Sequence, residues 1–291
     1  MKHRFTFLIL TIIVIKISAQ TDTTKYWKVN GTTSIIFSQV SLTNWSEGGD
    51  ESLSGTFLFK MDANKLKNRL AWDNHVELEY GFLRQGTQKL RKSVDRILYT
   101  SKLGYQLRNP KWFATALMDF RTQFAKGYSY PNTDEYISKI MSPGYLNIGL
   151  GFDHKPNDHL SIYLSPLNGK FTFVLDDTLS EKGYFGVSPG NNVRSEFGGL
   201  VKCKYIRENI VENVTFETML DLFSNYLDKP ANIDVIWDVK IDMKVNKYLS
   251  ANLFTSLKYD DDIDYIDKNG ENKGPKVQFK ELFGAGMSYN F

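Results

Sequence analysis

Between positions 233 and 245 the chain alternates apolar and polar side chains almost without interruption. Ile233, Val235, Trp237, Val239, Ile241, Met243 and Val245 share one parity; Asp234, Asp238, Lys240, Asp242 and Lys244 share the other, with Ile236 as the exception. Successive side chains of a strand point to opposite faces, so this spacing predicts a strand with one apolar and one charged side. A helix would bring together residues three and four apart, which here mixes the two sets.

The pattern recurs along the chain. Leu70, Trp72, Val76, Leu78, Tyr80 and Phe82 alternate with Asp73, His75, Glu77 and Glu79, and Ile97, Tyr99, Leu103 and Tyr105 alternate with Arg96, Lys102 and Gln106. Trp112, Ala114, Ala116, Met118 and Phe120 oppose Asp119, Arg121 and Gln123; Phe197, Val201, Cys203 and Tyr205 oppose Arg194, Glu196, Lys202 and Lys204. Twelve strands are predicted, at 27–39, 52–62, 68–83, 94–108, 111–125, 144–154, 159–174, 192–207, 213–223, 233–245, 249–259 and 277–291. Pro166, Asn168 and Gly169 leave open whether the seventh is one strand or two.

Connections after even-numbered strands read as short and those after odd-numbered strands from the third onward as longer, for example 126–143, 175–191 and 260–276. That parity is expected of an antiparallel membrane barrel with short periplasmic turns and long extracellular loops. The strands are also long for a soluble sheet and sufficient for a tilted crossing of the hydrocarbon. Backbone groups in lipid must all be paired, which only a closed sheet achieves. The polar faces carry charges of both signs, which suits a wet interior and not a dry sandwich core. Aromatic residues near strand ends (Trp27, Trp72, Tyr80, Trp112, Phe124, Tyr259, Tyr289 and Phe291) fit interfacial girdles. The expected fold is an all-β, closed antiparallel transmembrane β-barrel of about 12 strands.

Composition narrows the classes further. A mean hydropathy of −0.35 excludes a bundle of membrane helices, and an aromatic content of 14% excludes a disordered chain. The 36 basic and 33 acidic residues nearly balance, so no nucleic-acid partner is expected. One cysteine, Cys203, excludes an internal disulfide framework. Residues 1–20 begin with Lys2, His3 and Arg4, continue with an apolar run to Ile15, and reach the small residues Ser18 and Ala19. This predicts a signal peptide over 1–19 and a single barrel domain over 20–291. The expected localisation is the bacterial outer membrane.

Phe291, with Tyr289 two before it, resembles the terminal aromatic signal by which outer-membrane barrels engage their assembly machinery. That machinery and outer-membrane lipid are the expected partners, with a small polar solute as a possible ligand. The run Phe37-Ser-Gln-Val-Ser-Leu-Thr-Asn-Trp-Ser-Glu-Gly-Gly49, followed by Ser52-Leu-Ser-Gly55, resembles the signature of an uncharacterised family in Bacteroidetes-type bacteria, described only as a domain of unknown function. The stretch Tyr163-Leu-Ser-Pro-Leu-Asn-Gly-Lys-Phe171 is similar to a second block of that family. The resemblance implies an outer-membrane barrel over the whole mature chain and carries no activity or catalytic residues.

Candidate site residues follow from the polar parity. His75, Glu77, Glu79, Arg96, Lys102, Asp119, Arg121, Lys202, Lys204, Glu217, Asp238, Lys240, Asp242 and Lys244 are expected to face the lumen, as the lining of a selective pore or as a self-neutralising filling. Asn44, Trp45, Glu47, Gly48 and Gly49 sit at the first outer loop, either as a closed hairpin or as a ligand platform. The acidic run 260–267 lacks the spacing of a calcium loop, and no cofactor, metal or catalytic motif is expected. Three function classes remain: a passive channel for small polar solutes, a non-conducting barrel that binds a partner through its outer loops, and a lipid hydrolase similar to outer-membrane phospholipases. The last needs Ser and His at the lipid-facing rim, where His75 does not fall.

Overall fold

A computed structural model describes residues 26–41, 50–266 and 271–291. Twelve strands form one ring: β1 (Trp27–Val40), β2 (Ser52–Lys67), β3 (Leu70–Gln85), β4 (Arg91–Gln106), β5 (Trp112–Thr122), β6 (Gly144–Asn157), β7 (Leu160–Phe173), β8 (Val193–Val211), β9 (Val214–Asn225), β10 (Ile233–Lys244), β11 (Leu249–Tyr259) and β12 (Gln278–Asn290). Each pairs antiparallel with its sequence neighbours, and β12 pairs with β1 to close the barrel. The twelve-strand expectation is borne out, with boundaries displaced by up to five residues.

Closure is tight at the end that holds both Trp27 and Phe291. The Gly31 amide donates to the Phe291 carbonyl at 2.9 Å, and the Phe291 amide donates back at 3.0 Å. The turns at this end are short. At the other end the loops 123–143, 174–192 and 260–277 are long, whereas 86–90 is no longer than the turn 107–111. The expected sorting of loop lengths therefore fails after β3.

The seventh strand is continuous, and Pro166 explains why it looked divisible. Leu150 pairs with Leu167 and Phe152 with Leu164, so β7 carries one extra residue there; the register against β8 shifts at the same place. Proline has no amide to give to a ladder and is tolerated at such a bulge. The extra residue also switches parity. Tyr163 and Ser165 point inward before it, and Asn168, Lys170 and Thr172 point inward after it.

The outward parity forms an apolar belt that includes Ile35, Phe57, Leu103, Met118, Ile148, Leu150 and Trp237, all well exposed. A patch that runs around the whole wall is a lipid-facing surface, since soluble chains do not leave so much apolar area wet. Its polar atoms are satisfied locally. The Trp237 indole donates to Thr218 Oγ1 and the Trp72 indole to Ser101 Oγ, each at 2.9 Å. Aromatic pairs mark both rims, with Trp27 against Trp72 near the turns and Tyr80 against Phe124 near the loops.

Two long loops fold into a cap. Val174, Leu179 and Val187 form a small buried cluster, backed by Tyr136, Tyr184 and Phe185. A five-residue helix, α1 (Asp177–Glu181), is capped by Asp176, whose carboxylate accepts from the Leu179 amide at 3.0 Å. A two-stranded hairpin, Gly127–Tyr128 with Tyr136–Ser138, lies in the preceding loop.

Candidate functional site: the barrel interior

The inward parity brings ionised side chains together from opposite walls. Glu77, with none of its surface exposed, projects from β3; its carboxylate takes the Lys240 ammonium from β10 and lies 3.4 Å from Arg96 of β4. Arg96 Nη2 donates to Asp238 of β10 at 2.9 Å. In the ring, β4 and β10 are six strands apart in either direction, so this pair crosses the full width of the lumen. Two ion pairs thus tie opposite walls at the waist.

A second knot sits beside the first. Arg121 of β5 donates to Asp119 at 3.0 Å and to Asp221 of β9 at 2.5 Å. Lys202 of β8 donates to Asp221 at 2.8 Å and lies 3.2 Å from Asp119, while Thr100 donates to Asp119 at 2.7 Å. Apolar side chains fill between the charges. Leu98 is fully buried, and Leu117, Tyr163, Leu200 and Phe223 form a cluster inside the barrel. Phe254 lies beneath the cations of Arg96, Lys240 and Lys280, at 5.6, 5.6 and 5.0 Å from its ring centre.

Towards the turns the network continues. His75 Nδ1 lies 2.9 Å from Asp62, and Lys204 lies 3.6 Å from Glu217 and 3.7 Å from Asp62. Lys102 donates to Asp153 at 2.6 Å and to Ser161 at 2.7 Å, while Lys60 lies 3.5 Å from Asp242. Towards the loops Lys170 joins Asp234 at 2.5 Å and Asp260 at 3.1 Å, and Arg194 lies 2.9 Å from Glu196 and 3.3 Å from Asp262.

Of the residues singled out from sequence, His75, Glu77, Glu79, Arg96, Lys102, Asp119, Arg121, Lys202, Lys204, Glu217, Asp238, Lys240 and Asp242 all lie on the inner face of the wall, while Lys244 is exposed at the turn end. Parity reasoning missed Lys60 and Asp62 on β2, Asp153 on β6 and Lys170 on β7. Phe57, Phe59 and Met61 alternate with Lys60 and Asp62, so the same test finds the first two. Lys170 lies beyond the Pro166 bulge, where a strict period of two assigns the wrong face.

Asn44, Trp45, Glu47, Gly48 and Gly49 lie outside the described residues, as does the segment 1–19. Within the acidic run Asp260 pairs with Lys170, Asp262 with Arg194, and Asp261 with Lys229 at 3.4 Å, while Asn232 donates to Asp261 at 2.5 Å. Among the described residues no group of His, Cys, Asp and Glu is arranged to hold a metal ion. His154 lies flat against Trp112, ring centres 4.4 Å apart. Tyr289 and Phe291 stack on the outer face with their rings 6.3 Å apart.

In the cap, Asp176 meets the Lys139 ammonium at 2.5 Å and the Tyr136 hydroxyl at 2.9 Å. Burial alone raises its carboxyl; the hydrogen bonds from Lys139, the Leu179 amide and Tyr136 outweigh that and hold it below the usual carboxylate range.

Residues 37–128 match the family model described as "Protein of unknown function (DUF3078)". The match contains Phe37–Gly49 and Ser52–Gly55; Tyr163–Phe171 lies beyond it. No curated protein matches. Among solved structures the chain is similar to the COG4313 outer membrane channel from Pseudomonas putida F1, at 13% identity and a TM-score of 0.39, covering 91% of this chain and 94% of that one. It is similar to the translocator domain of the autotransporter NalP from Neisseria meningitidis at 8% identity and a TM-score of 0.39, covering 91% and 88%. It is also similar to the outer membrane channel DcaP of Acinetobacter baumannii at 10% identity and a TM-score of 0.31, covering 91% and 96%. The barrel fold resembles Gram-negative outer-membrane proteins.

Proposed function

We propose that this chain is an outer-membrane barrel that does not conduct in its resting state, and that it works through a partner bound at its loop end. The observation that carries this reading is the pair of ion bridges across the waist, Arg96 to Asp238 and Glu77 to Lys240, with Glu77, Asp238 and Lys240 each at most 4% exposed. A selective pore needs charged side chains that face water and exchange ions. Here Arg96, Asp238, Glu77 and Lys240 are spent on one another, with the buried Leu98 opposite Glu77 in register and Phe254 beneath the two cations.

The cap supports the second half of the reading. A buried cluster, a capped helix turn and the Lys139–Asp176 pair hold the loops 123–143 and 174–192 in a defined shape. Pre-ordered loops lose less entropy on binding than flexible ones. The charged inner parity also suggested a passive channel for small polar solutes; that reading requires the waist to part.

Efflux from vesicles tests the proposal. Wild-type protein folded into vesicles loaded with a small sugar is expected to retain the sugar as protein-free vesicles do. Replacing Arg96 and Asp238 together by alanine removes one bridge without leaving a lone charge, and is expected to speed efflux. Rapid efflux through the wild type would overturn the reading.

A further inference from the structure

Two turns at the end opposite the cap carry basic side chains and no acidic ones. The segment between β2 and β3 reads Lys65-Leu-Lys-Asn-Arg69, and that between β4 and β5 reads Leu107-Arg-Asn-Pro-Lys111. The turns are neighbours, because the Gln106 amide donates to the Arg69 carbonyl at 2.7 Å. The second is held in shape from within. Gln106 Nε2 donates to the Pro110 carbonyl at 3.0 Å, and the Lys111 amide donates to Asn109 Oδ1 at 3.0 Å.

These cations are without counter-ions. Lys67, Arg69, Arg108 and Lys111 are exposed, and among the described residues neither they nor Lys65 have a carboxylate within 4.0 Å. At the loop end, by contrast, Lys139, Lys182 and Lys229 bridge to Asp176, Glu135 and Asp261. The sequence before Tyr26 brings no net negative charge: Asp22 is matched by Lys25, and residues 1–19 hold Lys2, Arg4 and Lys16 with no acid.

The outer side of the first turn is aromatic. Lys65 and Lys67 keep the parity of Phe57 and Phe59, which places them on the lipid-facing side of β2. In register Lys65 stands between Trp27 of β1 and Trp72 of β3, whose ring centres are 5.5 Å apart, and its ammonium lies 5.5 Å from the Trp27 ring centre. The Lys67 ammonium lies 4.9 Å from the Tyr26 ring centre. Trp112 follows Lys111 directly. Tryptophan at a barrel rim marks the level where hydrocarbon gives way to headgroups, and a lysine stem laid along the wall carries its charge to the phosphates. Outward parity also decides between partners, since a soluble protein approaching along the barrel axis meets the inner parity first.

We propose that the β2–β3 and β4–β5 turns form a docking site for the headgroup of an anionic phospholipid in the turn-side leaflet. Lys67, Arg69 and Arg108 hold the phosphate, Lys65 and Lys111 flank it, and Trp27, Trp72 and Trp112 pack on the glycerol and the upper acyl chains. The site lies outside the lumen, so the proposal does not rest on the closed waist or on the loop-end partner.

Tryptophan quenching by brominated lipid tests the site. The barrel is folded into phosphatidylcholine vesicles that contain a minor fraction of brominated phosphatidylglycerol, or the same fraction of brominated phosphatidylcholine. Wild type is expected to associate with the brominated phosphatidylglycerol at least about threefold more strongly, as attraction of basic groups to an anionic headgroup requires. The K67Q/R69Q/R108Q variant, checked for folding by heat-modifiable gel migration, is expected to lose the preference, and K89Q, at the loop end, to keep it. Equal quenching of wild type by the two lipids overturns the proposal and leaves these cations to a soluble acidic partner. A preference retained in full by the triple variant overturns it too. So does a preference lost equally in K89Q, which shows general charge attraction and not a site.

Discussion

Replacing Glu77 by alanine probes the waist at its most enclosed point. The carboxylate is fully buried and serves three groups: Lys240, Arg96 at 3.4 Å and His75 at 3.7 Å. After its removal Arg96 keeps Asp238 at 2.9 Å, but among the described residues Lys240 has no other carboxylate within 4.0 Å. One buried ammonium therefore loses its bridging carboxylate, with Glu217, its register partner on β9, as the remaining nearby anion. Breaking a buried pair from one side costs about 3–5 kcal/mol. At about 1.4 kcal/mol per factor of ten, the folding equilibrium falls by at least two decades. Lys240→Ala is expected to cost less, because Glu77 retains Arg96, and the double variant E77A/K240A is expected to be more stable than E77A. The assay is urea unfolding in lipid vesicles followed by tryptophan fluorescence, since Trp27, Trp72 and Trp112 lie near the turn end and Trp237 nearer the loops. A loss below about 1 kcal/mol for E77A, or a double variant that costs the sum of the two singles, would refute a dry, coupled waist.

Further outcomes follow from other parts of the barrel. A side chain at Gly286 would place its Cβ 2.2 Å from the Ile35 carbonyl oxygen and 2.7 Å from Ile36 Cα, both backbone, so Gly286→Val is expected to part the turn-side seam and lower the temperature at which the barrel unfolds on gels; an unchanged temperature counts against that closure. Deleting Phe291 removes both backbone bonds to Gly31 and is expected to reduce the yield of folded, membrane-inserted protein, measured as the heat-modifiable fraction. Asp176 has a depressed pKa in the folded cap, so its contribution is present above the unfolded value of about 3.9 and is lost as pH falls through the lower folded value. The cap is therefore expected to resist proteolysis at pH 4 and open only below it, whereas Asp176→Asn opens it at neutral pH; loss of wild-type protection above about pH 5 would contradict this sign.

Much of the wall is legible in the sequence because a strand's period of two is a local property. Asp238, Lys240 and Trp237 take the faces that alternation assigns, and so do Glu77 and Arg96. Which residues meet across the lumen is not local. The approach of Arg96 to Asp238 depends on the stagger and diameter of the closed ring, and parity carries neither. The bulge at Pro166 shows the limit from the other direction: one unpaired residue moves Lys170 to the inner face, against strict alternation. Inward apolar residues were also hidden. Leu98 and Phe254 read as lapses in a polar face, yet they supply the packing that keeps the charges dry. The cap left little periodic signal, because its order comes from the tertiary contacts of Val174, Leu179 and Val187 with Tyr136.

Planar-bilayer recording of the refolded wild-type barrel tests the central claim, an interior closed by its own ion pairs, most directly. The account predicts an electrically silent membrane at moderate voltage, with stepwise currents appearing once Arg96 and Asp238 are both replaced by alanine. Regular, discrete openings from the wild-type protein would contradict it.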